Sequence, residues 1–308
     1  MHVRVLGAAA GGGFPQWNCL CSNCQRLRHG KLQGTARSQT QLAINADSES
    51  WFLVNASPDL RYQIESFPLL HPHSEAFRQS PIKGVVLTSA EVDAALGLLL
   101  LRESQPLVVY ATEAVRTLLM DCNNIFGVLR RQPDQVRWRT IVPGTSFELL
   151  ANCATGSIRC TAVSTGGQFP GHVPPDKARD LDPAEAVIGL LLEQGSGRIA
   201  FFPGVHAISP ELIEKLEQCD AIFFDGTFWS DRELICIQGK ARTAREMGHL
   251  PVGDSKGTLE ELAGLARPRK IFIHINNTNP MLDEDSPEYA RVRASGWELA
   301  FDGMGLST

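Results

Sequence analysis

The chain has 308 residues, 43% of them hydrophobic and 20% charged. This is the balance of an ordinary folded protein, long enough to bury a core without disulfides. A net charge of −5 gives no bulk attraction for nucleic acid. No apolar run nears the ~20 residues of a membrane span, and no signal peptide is evident, because Arg4 and Gly7 interrupt the first apolar run. The cytoplasm is the expected location.

Residues 3–7 predict a strand running into the loop Ala8-Ala-Ala-Gly-Gly-Gly-Phe-Pro15, whose glycines permit close backbone approach to another group. No Lys-Ser/Thr follows and no helix start is obvious, which weakens a phosphate-cradling reading. Next comes Cys19-Leu-Cys21-Ser-Asn-Cys24. Three thiols at this spacing can converge on one tetrahedral cation, and thiolates favour zinc over harder ions. The alternative is unpaired loop cysteines, or a disulfide between two of them. A fourth ligand has to come from elsewhere. The other cysteines, Cys122, Cys153, Cys160, Cys219 and Cys236, lie mostly in or beside apolar stretches and read as buried free thiols in a reducing compartment.

Residues 41–45 and 51–55 predict paired strands about the polar turn 46–50. A helix is expected to follow, with Ser57 as N-cap and Pro58 at its first position. His71-Pro72-His73 reads as solvated loop. Residues 82–88 predict a buried strand, 92–103 a helix, 108–111 a strand and 112–120 a helix, the rhythm of a layered α/β fold. Further strands are expected at 136–141, 157–163, 186–192, 199–202, 221–224, 270–275 and 297–301. Many strands with few helices between them favour two packed sheets over one doubly wound sheet. No short repeat, low-complexity tract or linker divides the chain. One domain over 1–308 is expected, with the zinc-bearing loop 14–30 included.

Chemistry-bearing residues collect at the predicted strand ends. The segment Thr88-Ser89-Ala-Glu91-Val-Asp93-Ala-Ala-Leu-Gly97 joins a buried strand to a helix, where α/β folds place ligands. Glu91 and Asp93 could face one metal centre or cap the helix. Asp225 closes an apolar strand and His274 lies within another. Singly they read as a turn residue and a core histidine; together they supply the carboxylate and imidazole that a divalent cation needs. His249, in a Gly/Pro loop, reads as an acid/base group.

In this order the motifs look like those of the metallo-β-lactamase fold. Within it the chain resembles, over essentially its whole length, the family of pyrroloquinoline quinone (PQQ) biosynthesis proteins B. The resemblance rests on Val5-Leu-Gly-Ala-Ala-Ala-Gly-Gly-Gly-Phe-Pro-Gln-Trp-Asn-Cys-Leu-Cys-Ser-Asn-Cys24 and Asn55-Ala-Ser-Pro-Asp-Leu-Arg61. Phe224-Asp-Gly-Thr-Phe-Trp229, Met247-Gly-His-Leu-Pro-Val252 and His274-Ile-Asn-Asn-Thr-Asn-Pro280 support it. It implies an α/β (α+β) fold, an αβ/βα four-layer sandwich of two mixed β-sheets with outer helices. The superfamily signature Thr-His-x-His-x-Asp-His-x-x-Gly is matched by Thr88, Asp93 and Gly97, while Ser89, Glu91 and Ala94 stand where its histidines would be. The usual two-zinc hydrolytic centre is therefore not expected. Asp225 matches the metal-bridging position, His274 the last ligand, and His249 the loop histidine of the phosphodiesterase branch.

The resemblance implies a role in making PQQ from a peptide carrying linked Glu and Tyr. The implied reaction is oxygen-dependent hydroxylation of the tyrosine ring at a single Fe(II), held among Asp93, His274, Glu91 and Asp225. Ser89, His249 and Asp93 are the catalytic candidates. The set is not a two-His-one-carboxylate triad unless His249 or His172 joins it. Cys19, Cys21 and Cys24 then hold a separate structural Zn2+, with His274 and Asn277 both open as the further ligand. Gly12, Gly13, Arg61 and Asn277 are the candidate substrate contacts. The expected partner is a small-molecule or dipeptide precursor of PQQ, or PQQ itself, with no nucleic acid and no membrane; a homodimer stays open. Two rival readings are a non-enzymatic carrier of PQQ or its precursor, aiding transport to the periplasm with Arg61, Arg102 and Lys83 as counter-charges, and a divergent metallo-hydrolase with His249 as base.

Overall fold

The computed structural model describes residues 1–45, 47, 49–73, 76–103, 105–150 and 157–308; Cys153 and part of the predicted 46–50 turn lie outside them. Strands alternate with helices through the first half: β1 (His2–Gly7), β2 (Gln41–Asn45), β3 (Trp51–Val54), β4 (Ile82–Val86), β5 (Leu107–Thr112) and β6 (Val136–Ile141). The second half supplies β7 (Ser146–Leu149), β8 (Ile158–Ser164), β9 (Ile188–Gln194), β10 (Gly197–Phe202), β11 (Ala221–Asp225), β12 (Arg269–Ile273), β13 (Trp297–Leu299) and β14 (Gly305–Ser307). They form two seven-stranded mixed sheets, ordered β14-β1-β2-β3-β4-β5-β6 and β13-β12-β11-β10-β9-β8-β7. This is the expected two-sheet sandwich.

Central strands such as β3 and β11 read as unbroken apolar runs because both of their faces are covered, whereas the edge strand β6 keeps exposed polar residues. In β10, Ile199 and Phe201 enter the core between the sheets, while Ala200 and Phe202 join the outer core under the helices. β11 repeats the pattern, with Phe223 inward and Phe224 outward. A third apolar cluster, including Leu53, Val85 and Val109, covers the outside of the first sheet. Each fully buried large side chain is worth roughly 1.5–3 kcal/mol relative to exposure. On the outer face of the second sheet Phe272 stacks on Trp297 at 4.1 Å.

Several local expectations are corrected. The helix after β3 spans Leu60–Glu65 with Asp59 as its N-cap. Ser57 instead donates to Gln63 Oε1 and accepts from Asp59 N. Residues 92–103 form a short α-helix, Val92–Ala95, continued by a 3-10 helix, Leu96–Leu101. Gly97 causes the tightening: its N–H donates to Ala56 O, and a Cβ there would stand 2.3 Å from Ser57 O. A helix, Ser22–Arg28, begins right after Cys21. The helices Pro210–Glu217 and Pro287–Ala294 went unpredicted, although each opens on Ser-Pro-Glu with the serine hydroxyl capping a backbone N–H, a recognisable start signal. Cys160 and Cys219 are buried free thiols, but Cys122 and Cys236 are exposed. Among the described residues no helix is long and apolar enough to cross a membrane.

Candidate metal centre and cavity

Both sheets deliver polar residues to one edge of the sandwich. β1 runs into the glycine loop, β4 into Thr88–Asp93, β11 ends on Asp225, and β12 hands over to His274. Ala10 N donates to Ile275 O at 2.9 Å and Ile275 N to Ala8 O at 3.0 Å, stitching the sheets together there. The ends enclose a cavity of about 520 Å³, a size suited to a small organic ligand.

Asp225 is fully buried. Its Oδ1 accepts from Thr227 N at 3.0 Å and Thr227 Oγ1 at 2.6 Å, and its Oδ2 from Val205 N at 2.9 Å and His249 Nδ1 at 2.7 Å. Burial alone would raise its pKa; the positive charge and hydrogen bond of His249 outweigh it and hold the carboxyl below the usual range. His274 takes a left-handed backbone, φ 57°, uncommon outside glycine. Thr227 Oγ1 lies 2.9 Å from His274 O and 2.8 Å from its Nδ1, while Nε2 reaches Asp93 Oδ2 at 3.0 Å. Burial pushes the His274 pKa down, but the hydrogen bond and charge of Asp93 prevail and raise it. The same contact holds Asp93 below its ordinary range despite burial. The His249 and His274 rings stack at 5.4 Å.

One donor atom each from Asp225, His249 and His274 lies within 4.8 Å of the others. Two imidazoles and a carboxylate in this arrangement are a donor set for Fe(II) and similar divalent ions. Asp93 adjoins the set through His274. Glu91 lines the cavity outside this close group, its pKa raised by burial and by the charge of Asp93. Ser89 also lines the wall, its hydroxyl accepting from Glu91 N at 3.3 Å. Asp225 is not itself in the wall; it lies beneath His249 and Thr227.

The second close group is Cys19, Cys21 and Cys24. Asn277 Nδ2 approaches their sulfurs at 3.2, 3.6 and 3.4 Å. Asn23 Nδ2 donates to Asn277 O at 3.2 Å and Asn279 O at 2.8 Å, pinning the segment over the cluster. Burial and the adjacent sulfurs push the Cys21 thiol up to about 12, so a cation is needed to make all three thiolates. Of the two groups open as a further ligand, Asn277 faces the sulfurs and His274 faces the carboxylates.

Most of the other expected contacts do not reach the cavity. Gly12 lines it, and a Cβ on Gly11 would stand 3.4 Å from Asp93 Oδ2, so the glycine loop lies against that carboxylate. Gly13 turns away toward Arg37 O. Asn277 is held in the sulfur cluster. Arg61 is exposed on its helix, Lys83 sits on β4, and Arg102 pairs with Glu103 at 3.4 Å; none lines the cavity. His172 is exposed and outside the wall. The cation that does line it is Arg242, 3.2 Å from Gln168 Oε1. Thr227, Arg242 and Asn276 were missed. For Asn276 a signal was available, since it lies only two residues beyond His274 in the same polar segment.

The fold and its imidazole–carboxylate group at the strand ends define a protein of the metallo-β-lactamase type, and the Beta-lactamase superfamily domain matches residues 50–275. The chain is 42% identical to Coenzyme PQQ synthesis protein B of Azotobacter vinelandii, over 99% of both chains. The 1.98-angstrom crystal structure of Zn(2+)-bound PqqB from Methylobacterium extorquens superimposes with a TM-score of 0.89 at 38% identity, covering all of both chains. The chain therefore belongs to the coenzyme PQQ synthesis protein B family, and its role lies in PQQ biosynthesis. A diphosphatase of the PhnP family, at TM-score 0.65 and 19% identity over 100% of this chain and 97% of its own, shares the fold alone.

Proposed function

We propose that the cavity binds a single Fe(II) and hydroxylates the tyrosine ring of a Glu–Tyr precursor of PQQ, using O2. The observation that carries this reading is the convergence of Asp225, His249 and His274 within 4.8 Å. It supplies the two-His-one-carboxylate set characteristic of oxygen-using iron sites. Iron held by these three residues would supply O2 activation; in the net reaction one oxygen atom would enter the ring and the other would leave as water, with two electrons and two protons from an external reductant and solvent.

The chain's own residues hold and orient. Asp225 is fixed by two backbone N–H groups and Thr227, so it can turn His249 into place without moving itself. Thr227 Oγ1 lies beside both the His274 carbonyl and Nδ1, the nitrogen left for iron once Nε2 is given to Asp93. Asp93 anchors the far side of His274. His249 then serves as a ligand in this reading, and Ser89 and Glu91 are left to place the substrate. Phe228, edge-on to His249 at 5.9 Å, offers an apolar surface for an aromatic ring.

The sulfur cluster is a separate structural zinc site in this proposal, as the zinc-bound relative suggests. Asn277 is its fourth group, offering its amide oxygen in place of its nitrogen. The chemistry of the donors supports the division: three thiolates suit zinc, and oxygen with imidazole suits iron.

The carrier reading has weaker support. PQQ is a tricarboxylate and needs a basic site, yet Arg242 shares the wall with two carboxylates, Glu91 and Asp93. Loading the protein anaerobically with Fe(II), then adding O2, a reductant and L-glutamyl-L-tyrosine, tests the proposal. A ring-hydroxylated product of one added oxygen is expected. Iron retention with no mass gain refutes it, and tight PQQ binding without turnover transfers support to the carrier.

A further inference from the structure

Asn276 lines the cavity two residues beyond His274. Its Nδ2 donates to Thr278 Oγ1 at 2.5 Å. The Thr278 hydroxyl in turn donates to Glu233 Oε1. Glu233 stands outside the cavity, at the start of the helix Glu233–Gln238, and is only 7% exposed. Its other oxygen, Oε2, accepts from Trp229 N at 2.7 Å. These groups form a one-way chain. A hydroxyl has a single proton to give, and the Glu233 carboxylate, once ionised above about pH 7, can only accept. Thr278 must therefore donate to Glu233 and accept from Asn276. That choice turns the Asn276 NH2 inward and leaves Oδ1, which has no protein partner among the described residues, for the cavity.

We propose that Glu233 and Thr278 are positioning residues that set the hydrogen-bond polarity of Asn276, making the cavity wall beside His274 an acceptor that selects ligands carrying an O–H donor, such as a phenol. The inference deepens the hydroxylase reading, since a tyrosine ring bears such a donor, but it does not depend on turnover. A buried hydrogen-bonding group left unpaired by the wrong ligand discriminates far more sharply than an apolar wall.

Glu233→Gln reverses the chain in a defined way. The backbone N–H of Trp229 still requires an acceptor, so the glutamine oxygen goes there and its NH2 faces Thr278. Thr278 then receives a proton and passes its own toward Asn276. The Asn276 amide must turn over, presenting NH2 to the cavity. Thr278→Ser keeps the wild-type polarity, and Thr278→Val removes the link.

The test uses the full metal-loaded chain at about pH 8.5, where Glu233 is ionised, and two probes, 4-methylphenol and 4-methylanisole, titrated by NMR. The wild type and Thr278→Ser are expected to prefer the phenol by about fivefold or more, the worth of one hydrogen bond. Thr278→Val should reduce that preference, and Glu233→Gln should abolish or invert it. A single cooperative melting transition and unchanged metal content establish that each variant is folded. Equal binding of the two probes by the wild type overturns the proposal, as does failure to bind the phenol or a phenol preference that persists in folded Glu233→Gln. A phenol preference without any hydroxylation of the dipeptide leaves this inference standing and refutes only the oxygenase reading.

Discussion

Glu233→Gln also changes how stability depends on pH. Burial raises the Glu233 pKa from its ordinary 4.5 to about 7, against the lowering effect of the Thr278 hydroxyl and the Trp229 and Ser230 backbone. Between those values the folded chain keeps a proton that the unfolded chain has released. Stability therefore falls as pH rises from 4.5 toward 7 and is flat beyond it. The gap corresponds to about 3 kcal/mol at ~1.4 kcal/mol per pH unit. Glutamine carries no charge to desolvate, so the variant lacks this slope. Urea unfolding of both proteins at pH 5 and pH 8, with zinc in excess, should show the variant gaining on wild type by up to about 3 kcal/mol at the higher pH. Two stability curves that stay parallel between these pH values would refute the reasoning, because Glu233 would then titrate alike in the folded and unfolded chains.

Five further outcomes are expected. His274→Ala should retain the tightly held zinc and lose iron binding, read by metal analysis of the purified chain, because His274 faces Asp93 and Asn277 faces the sulfurs. Cys24→Ser should do the reverse, costing one zinc per chain and lowering the melting temperature. Asp225→Ala strips the acceptor from two backbone N–H groups and His249; a loss of about 3–5 kcal/mol is expected by denaturant unfolding, with iron binding abolished. Gly97→Ala drives a methyl to 2.3 Å from Ser57 O and should cost ~2 kcal/mol or more by the same assay. Iron affinity should rise with pH through and above the ordinary imidazole value of 6.5, since the proton that Asp93 stabilises on the raised His274 competes with the metal.

Much of this architecture was legible in the chain. The apolar runs at 82–86, 199–202, 221–224 and 270–273 announced strands buried on both faces, and their order announced two sheets, because a strand covered on both sides has no polar alternation to hide it. The thiolate spacing of Cys19, Cys21 and Cys24 was local and needed no fold to be read. Asp225 and His274 were found because a polar residue closing an apolar strand is unusual. Other features depended on distance through space. Sequence could not choose between His274 and Asn277 for the sulfurs, since the two are three residues apart and only the left-handed turn at His274 sends them to different centres. It could not bring His249 onto Asp225, or exclude Arg61, Lys83 and Arg102 from the wall. Residue types and strand order determined which chemistry the chain could hold. The tertiary structure decided which groups meet, because residues as far apart as Asp93 and His274, separated by 181 positions, meet only after two sheets have packed and brought their ends to one edge.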